Sequence, residues 1–596
     1  MNGRLGQILQ GGFAALLLAL FGAAASQGLF SAELGRSFIH VGRGELLFWL
    51  AFCLLLLPGL LLLVGLLPLE KGLAALAPLF AGKGPRLFGW GLLLVLLVAG
   101  GARWGRALVL ADLPVTVDEQ MVLFGARMVA AGDFWVPAWD ARLGFSNRYL
   151  YMEHGRFAAM DFPGTIVFRA AGLRLGLGSW PFALLAACSG WALAQALGER
   201  EGRRGALLAG LAWLLSPMVV ALSLTEHAHL LSRSLIALAW ALYLRLEARP
   251  AGEPARALAH AACGLLFALA FLTRPAEALA AFAPLLLHLL LRCRGRAGLA
   301  AATAMAAAAA VGPLTLLLYN QAVTGSPWVL PRVVATARLL AKSTFATYWE
   351  RLGSNFGFNL LMLVIFFLGP LTLAILAAAW RCPAAPVRVA FAALGLHFLV
   401  ALAHDDTGIH LVGPIHYSEA AVPLVVLTVF ALPRLLLLLG RCGVPPLRAA
   451  ALGVALAAGQ LVFLAVQAGI LADQARIQLL FYDVVSDLPP AVVIADPLWR
   501  LWETRPELAA GGTWLADLPQ PDPYFRDRVL FAQVDRADPE LLRRTFPDRA
   551  FYRLSLAAEG PPWRLEALPR GAVKSAAALD TMPPPLTESG VPDEDR

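Results

Sequence analysis

Uninterrupted apolar runs of about 20 residues recur from near the N-terminus to position 472. This feature restricts the fold more than any other. A run of that length matches the hydrocarbon thickness of a bilayer when it is helical. Inside a bilayer every backbone N–H and C=O must be satisfied within the protein, which leaves helices and closed β-barrels as spanning structures. Barrel strands read as short alternating segments, whereas Leu47 to Leu67 is continuous Leu-rich sequence without alternation. The chain therefore reads as an all-α polytopic membrane protein. Only 15% of its residues are charged, against about a quarter in soluble proteins.

Hydropathy combined with Lys/Arg bias predicts about thirteen transmembrane helices. They cover 11–30, 46–68, 87–109, 180–198, 205–222, 229–247, 257–273, 275–291, 297–319, 356–379, 387–403, 419–438 and 448–472. Arginines gather in five alternate loops: Arg200, Arg203 and Arg204; Arg245, Arg249 and Arg256; Arg292, Arg294 and Arg296; Arg381 and Arg388; Arg434, Arg441 and Arg448. That alternation assigns them to the cytoplasmic face. The formal charge of +8 is thus spent on membrane orientation, and no nucleic-acid partner is expected. The topology closes only if residues 163–177 lie along the membrane surface as a juxtamembrane helix, which Pro163, Arg169 and Arg174 suit. The N-terminal run is read as an uncleaved span, with a secretory signal as the alternative. The six cysteines imply no disulfide framework, since none falls in the long hydrophilic segments.

The domain reading follows. Residues 1–110 form N-terminal spans, 111–179 a first outer loop with its surface helix, and 180–472 the main bundle. Residues 473–573 form a small α/β extracytoplasmic cap, with strands expected at Ala491 to Ile494, Val529 to Ala532 and Phe551 to Leu556 and a helix at Pro539 to Thr545. The Pro-rich, charged segment 574–596 reads as a disordered tail.

Seven of ten histidines fall in the outward segments: His40, His154, His227, His229, His404, His410 and His416. Titratable groups concentrated on one face suggest a site there. Asp118 and Glu119, adjacent at a membrane edge, are the candidate catalytic pair. Mutual repulsion and desolvation raise carboxylate pKa values, and either could act as a general base; a solvated acidic loop is the plainer alternative. Glu153, His154 and Asp161 are candidate substrate-binding residues, although Asp161 could simply cap the following helix. Glu226-His227-Ala228-His229 could ligate a metal or form a hydrogen-bonded turn. Arg274, between two apolar spans, must be paired or bound to an anion. The polar loop from His404 through Asp405 and Asp406 to His416, Tyr417 and Glu419 could orient an acceptor, bind phosphate, or cap two helices.

Five motifs in order add a family resemblance. They are Val117-Asp118-Glu119-Gln120 with Ala131-Gly132-Asp133-Phe134; Met160-Asp161-Phe162-Pro163-Gly164; Phe271-Leu272-Thr273-Arg274-Pro275; Tyr319-Asn320 with Thr324-Gly325-Ser326-Pro327; and Gly413-Pro414 with His416-Tyr417 and Glu419. Over about 110–440 they resemble the GT-C superfamily of membrane glycosyltransferases, of the bacterial family 39 type (protein O-mannosyltransferases and aminoarabinose transferases). The resemblance implies a GT-C bundle in the bacterial inner membrane. It implies transfer of a sugar from a polyprenyl-phosphate-linked donor to an envelope lipid, glycan or protein acceptor on the periplasmic face. Asp118 would be the base; Asp161 would lie near the donor phosphate or a divalent cation, with His227 a further candidate ligand. Arg274, His416, Tyr417 and Glu419 would complete the substrate site. Phe162-Pro163 replaces the usual Pro-Pro pair, Ile415 stands where relatives often have Arg, and two extra N-terminal spans precede the usual first helix. A transporter or flippase of a lipid-linked or anionic solute, and a non-catalytic membrane scaffold, are the alternative functions.

Overall fold

The structure, a computed structural model, describes residues 2–26, 43–64, 88–114, 116–145, 149–248, 255–292, 295–337, 356–357, 359–402, 409–410, 413–497, 500, 504–505 and 518–569. The chain begins with α1 (Asn2–Ser26) and α2 (Arg43–Ala51), which continues through a wider π turn at Phe52–Leu56 into α3 (Leu57–Val64). Then come α4 (Phe88–Leu110) and α5 (Val117–Ala131). A small antiparallel sheet of β1 (Val136–Pro137), β2 (Leu150–Glu153) and β3 (Arg156–Ala159), ordered β1-β3-β2, leads to α6 (Pro163–Arg174).

The bundle proper comprises α7 (Trp180–Leu214), α8 (Pro217–Ser223), α9 (Ala228–Ala248), α10 (Ala255–Phe271), α11 (Pro275–Arg292) and α12 (Arg296–Thr324). It continues through α13 (Pro331–Ala337), α14 (Asn359–Phe367), α15 (Pro370–Trp380) and α16 (Ala385–Leu402). A two-stranded ribbon, β4 (Ile409–His410) and β5 (Gly413–Pro414), runs into a 3₁₀ turn at Ile415–Ala420. It is followed by α17 (Ala421–Arg441) and α18 (Pro446–Val485).

Among the described residues, six helices are long and apolar enough to cross a membrane, or seven if one bent pair counts as a single span. Four shorter apolar helices accompany them. The bent pair corrects the expectation of one straight span at 356–379. Its halves, α14 and α15, meet at 102°. Gly369 adopts φ +58, where a Cβ would lie 2.6 Å from the Trp49 ring, and Pro370 opens the next helix. The expected spans 180–198 and 205–222 lie on one long helical stretch broken at Gly202 (φ +75), with the second ending at Leu214 and a separate α8 beyond it. Small residues bring backbones together in the bundle: a Cβ on Gly264 would fall 2.1 Å from Met305 O, and one on Gly312 2.7 Å from Ala268 O. Close approach of α10 and α12 through glycine is how membrane helices gain packing without a hydrophobic driving force.

After α18 comes a four-stranded sheet of β6 (Ala491–Ala495), β7 (Val529–Gln533), β8 (Ala550–Leu556) and β9 (Trp563–Ala567), with α19 (Pro539–Thr545) between β7 and β8. Its order is β7-β6-β8-β9; β6 pairs in parallel with β7 and β8, and β9 is antiparallel to β8. The strand β9 is additional to those expected. Leu143 and Phe145 of the first loop pack into one apolar core with Val492, Ile494, Leu530 and Leu542. The backbone joins them too: Gln533 N donates to Gly144 O at 3.0 Å and Asp538 N to Arg142 O at 2.6 Å. The expected tail 574–596 and the histidines His40 and His404 lie outside the described residues.

Candidate functional site

Three helix starts and two turns build the site. Thr116 caps α5, its Oγ1 accepting Glu119 N–H at 3.2 Å, and Gly132 at φ +109 closes the helix. Asp118 therefore sits in the first turn, half-buried. Pro163 opens α6 with Phe162 as its N-cap, and that cap makes no side-chain hydrogen bond. Asp161 is thus not the capping residue. Gly164 N donates to Leu272 O at 2.8 Å, docking the start of α6 on the break between α10 and α11. A Cβ at Gly164 would lie 2.6 Å from Thr273 Cγ2, so only glycine permits this approach. Pro275 starts α11 immediately after Arg274, which aims Arg274 into the same junction.

Asp161 is 4% exposed, and its Oδ2 is buried without a hydrogen-bond partner. Its Oδ1 lies 3.5 Å from Arg332 Nη1 on α13. Burial, with the Asp118 carboxylate nearby, pushes its pKa up to about 7, while Arg332 and Arg274 oppose the rise. Arg274, also 4% exposed, donates through Nε to Glu277 Oε1 at 3.0 Å, and its Nη2 contacts the same oxygen. Nη2 also lies 3.1 Å from His416 Nδ1, which must accept because guanidinium can only donate. Its charge is felt at Asp118, Asp161 and Glu419. His229 Nδ1 is 3.3 Å from both Glu419 oxygens, and its ring centroid is 5.3 Å from that of His416. Asp118, Asp161, Arg274, His416 and Glu419 thus form one cluster, with Arg332, Glu277 and His229 as further members.

The other expected residues make different contacts. Glu119 forms an ion pair with Arg106 at 3.0 Å. His227 contacts Thr116 Oγ1 at 2.9 Å, and Glu226 pairs with Arg169 at 2.7 Å. Glu153 and His154 are at the β2–β3 hairpin tip, His154 exposed at φ +54. Tyr417 is buried against Phe398, its hydroxyl without a partner, one residue beyond the contact that His416 makes.

Besides the candidate metal ligands Asp161 and His227, the described residues hold another grouping. His229, Glu277 and His416 are buried and offer ligand atoms within 4.8 Å of one another. Two imidazoles and a carboxylate suit a borderline divalent cation. Arg274 shares both Glu277 and His416 as placed, so a cation there would require its guanidinium to move aside.

Glu277 and Arg332 were the residues missed as site members; His229 reads in sequence only as part of the Glu226-His227-Ala228-His229 turn. Glu277 has a local signal, three positions after an arginine on a Pro-initiated helix. Arg332 has none, because only the fold returns α13 to Asp161. Arg233, fully buried, holds the turn that carries His416: it donates to Met218 O at 2.9 Å, Val219 O at 3.1 Å and Ser418 Oγ at 3.2 Å. The cluster lies at the N-terminus of α9. Arg200, Glu247 and Arg292 pair near the other end, about 27 Å away by helical rise.

No family model matches the chain, and no curated protein matches it. Among solved structures, the chain is similar to ArnT from Cupriavidus metallidurans bound to undecaprenyl phosphate, with 16% identity and a TM-score of 0.48 over 78% of this chain and 93% of that one. The apo state of the same protein gives 17% and 0.47 over the same shares. An Archaeoglobus fulgidus oligosaccharyltransferase tethered to an acceptor peptide gives 14% and 0.35 over 78% of this chain and 69% of that one.

Proposed function

We propose that this protein is a glycosyltransferase that moves a sugar from a polyprenyl-phosphate donor to a lipid, glycan or protein acceptor at the outer face of the bacterial inner membrane. The observation that carries the reading is buried Asp161 facing the cation Arg332 at 3.5 Å, with the half-buried Asp118 and the cation Arg274 within its electrostatic reach. Transfer of a glycosyl group needs a base for the acceptor and positive charge for the leaving phosphate. Asp118 takes the proton of the acceptor hydroxyl or amine as that atom attacks the anomeric carbon. The bond from that carbon to the phosphate oxygen breaks, and its electron pair stays on the phosphate. Arg274 and Arg332 stabilise the negative charge that develops there. A divalent cation held by His229, Glu277 and His416 would add Lewis-acid character near the same group. The donor class and the outward orientation come from the motif resemblance and from the arginine-rich opposite face.

The bent pair α14–α15 is a feature that a transporter would share, since transporters bind solute at broken helices. Its break at Leu368, Gly369 and Pro370 carries no ionisable group, which favours the transferase.

Mass spectrometry of envelope lipids, glycans and proteins tests the reading in a deletion strain carrying either the wild-type gene or Asp118→Asn. Wild type should restore one sugar-modified component. Asp118→Asn should restore at least about 100-fold less, the usual loss for a removed general base, while purifying as a folded protein. Equal restoration by both would exclude Asp118 as the base, and no difference between the deletion strain and wild type would remove the transferase assignment.

A further inference from the structure

The adjacent carboxylates of α5 occupy different environments. Asp118 is half-buried beside Asp161 and Arg274, whereas Glu119 is 1% exposed. Glu119 Oε1 accepts from Arg106 Nη1 at 3.0 Å and from Glu226 N at 2.8 Å. Arg106 is itself 5% exposed and donates onward to Leu224 O at 2.8 Å and Leu113 O at 3.2 Å. The Glu226 carboxylate meets Arg169 Nε at 2.7 Å. Thr116, which caps Glu119 N–H, is 2.9 Å from His227 Nε2.

Two carboxylates and two guanidinium groups, in the order Arg106, Glu119, Glu226 and Arg169, therefore form one largely buried network that joins α4, the first turn of α5, α6 and the turn between α8 and α9. Burying four charges is tolerable only because each meets an opposite charge and further hydrogen-bond partners. A base needs an oxygen presented to the acceptor, and here one Glu119 oxygen is already shared by two donors. We infer that Glu119 is a positioning residue: its ion pair with Arg106 and its hydrogen bond from Glu226 N hold the first turn of α5 so that Asp118 faces Asp161 and Arg274. The acidic pair divides into one chemical and one structural carboxylate. This inference rests on the transferase reading above.

Glu119→Gln separates the roles, since the amide keeps an accepting oxygen at the same place but cannot take a proton. Loss of the counter-charge to Arg106 should lower the stability of Glu119→Gln, but its activity in the envelope assay, per amount of folded protein, should stay within roughly fivefold of wild type because the accepting oxygen remains. Glu119→Ala should lose most activity, and hydrogen exchange of the amides of residues 117–122 should quicken in it but not in Glu119→Gln. A folded Glu119→Gln protein as inactive as Asp118→Asn would overturn the inference. If Glu119→Gln does not fold, the neutral pair Arg106→Gln with Glu119→Gln decides by both readouts: activity that follows the exchange protection of residues 117–122 supports positioning, and a folded double variant with wild-type protection but no activity refutes it. Failure of wild type to restore any modification would instead refute the transferase reading itself.

Discussion

Asp161 ties the chemistry of the site to pH. Its folded pKa of about 7 lies above the ordinary carboxylate value because burial and Asp118 disfavour the charged form. Between about pH 4 and pH 7 the folded state holds a proton that the unfolded state releases. Stability contributed by this group is therefore full below that window and falls as pH rises through it, by at most about 4 kcal/mol. Thermal midpoints of the detergent-purified protein should drop from pH 5 to pH 8, and Asp161→Asn should flatten the dependence. An unchanged slope in Asp161→Asn would assign the effect to another group. The sequence supplied Asp161 itself but suggested a helix cap as its plain role. Only the three-dimensional arrangement, with Phe162 at the cap and Arg332 opposite, distinguishes a site carboxylate from a cap. Likewise, both carboxylates of Asp118-Glu119 read alike in sequence, and Arg106, thirteen residues upstream, separates them.

At the scale of elements, the start of α6 is the piece on which the cluster depends. Gly164 lets the backbone reach Leu272 O and sets Asp161 against Arg274 and Arg332. Gly164→Ala should cost about 2 kcal/mol, as overpacking usually does, and should reduce envelope modification more than the lost stability explains. A thermal midpoint equal to wild type would show that the junction between α6 and α10 yields without strain. The helices themselves were legible from apolar runs and from Pro163 and Pro275 at helix starts, because those signals are local. The bend between α14 and α15 was not, since an apolar composition reads the same in a straight helix and a broken one. Its Gly-Pro step was the available signal.

At the scale of the molecule, the first outer loop and the C-terminal sheet form one packed unit rather than a bundle with a separate attachment. Gly144, at φ +73, sits where a Cβ would be 3.0 Å from Ala537, and its carbonyl extends the sheet at Gln533. Arg127 on α5 reaches Asp527 at 3.2 Å, and Tyr524 OH meets Asp133 at 2.5 Å. Gly144→Val should destabilise this unit by about 2 kcal/mol through a strained left-handed residue. Hydrogen exchange should then accelerate together in β6–β8 and around Leu143, with the transmembrane helices unaffected. Acceleration of the sheet alone would show that loop and sheet open independently.

The sequence alone determined that this chain is a helical membrane bundle, because bilayer thickness and the cost of unsatisfied backbone groups act on local composition. It also supplied Asp118, Asp161, Arg274, His416 and Glu419 as candidates. Tertiary structure decided which of them share a site and which partners join them. Glu277 did leave a pattern, three positions after Arg274. His229 and Arg332 meet the cluster through elements that lie far from Glu419 and Asp161 along the chain, and contact between such residues leaves no pattern in composition or spacing. The same reason hid the split between Asp118 and Glu119: their fates depend on Arg106 and Glu226, which only packing places beside one of them.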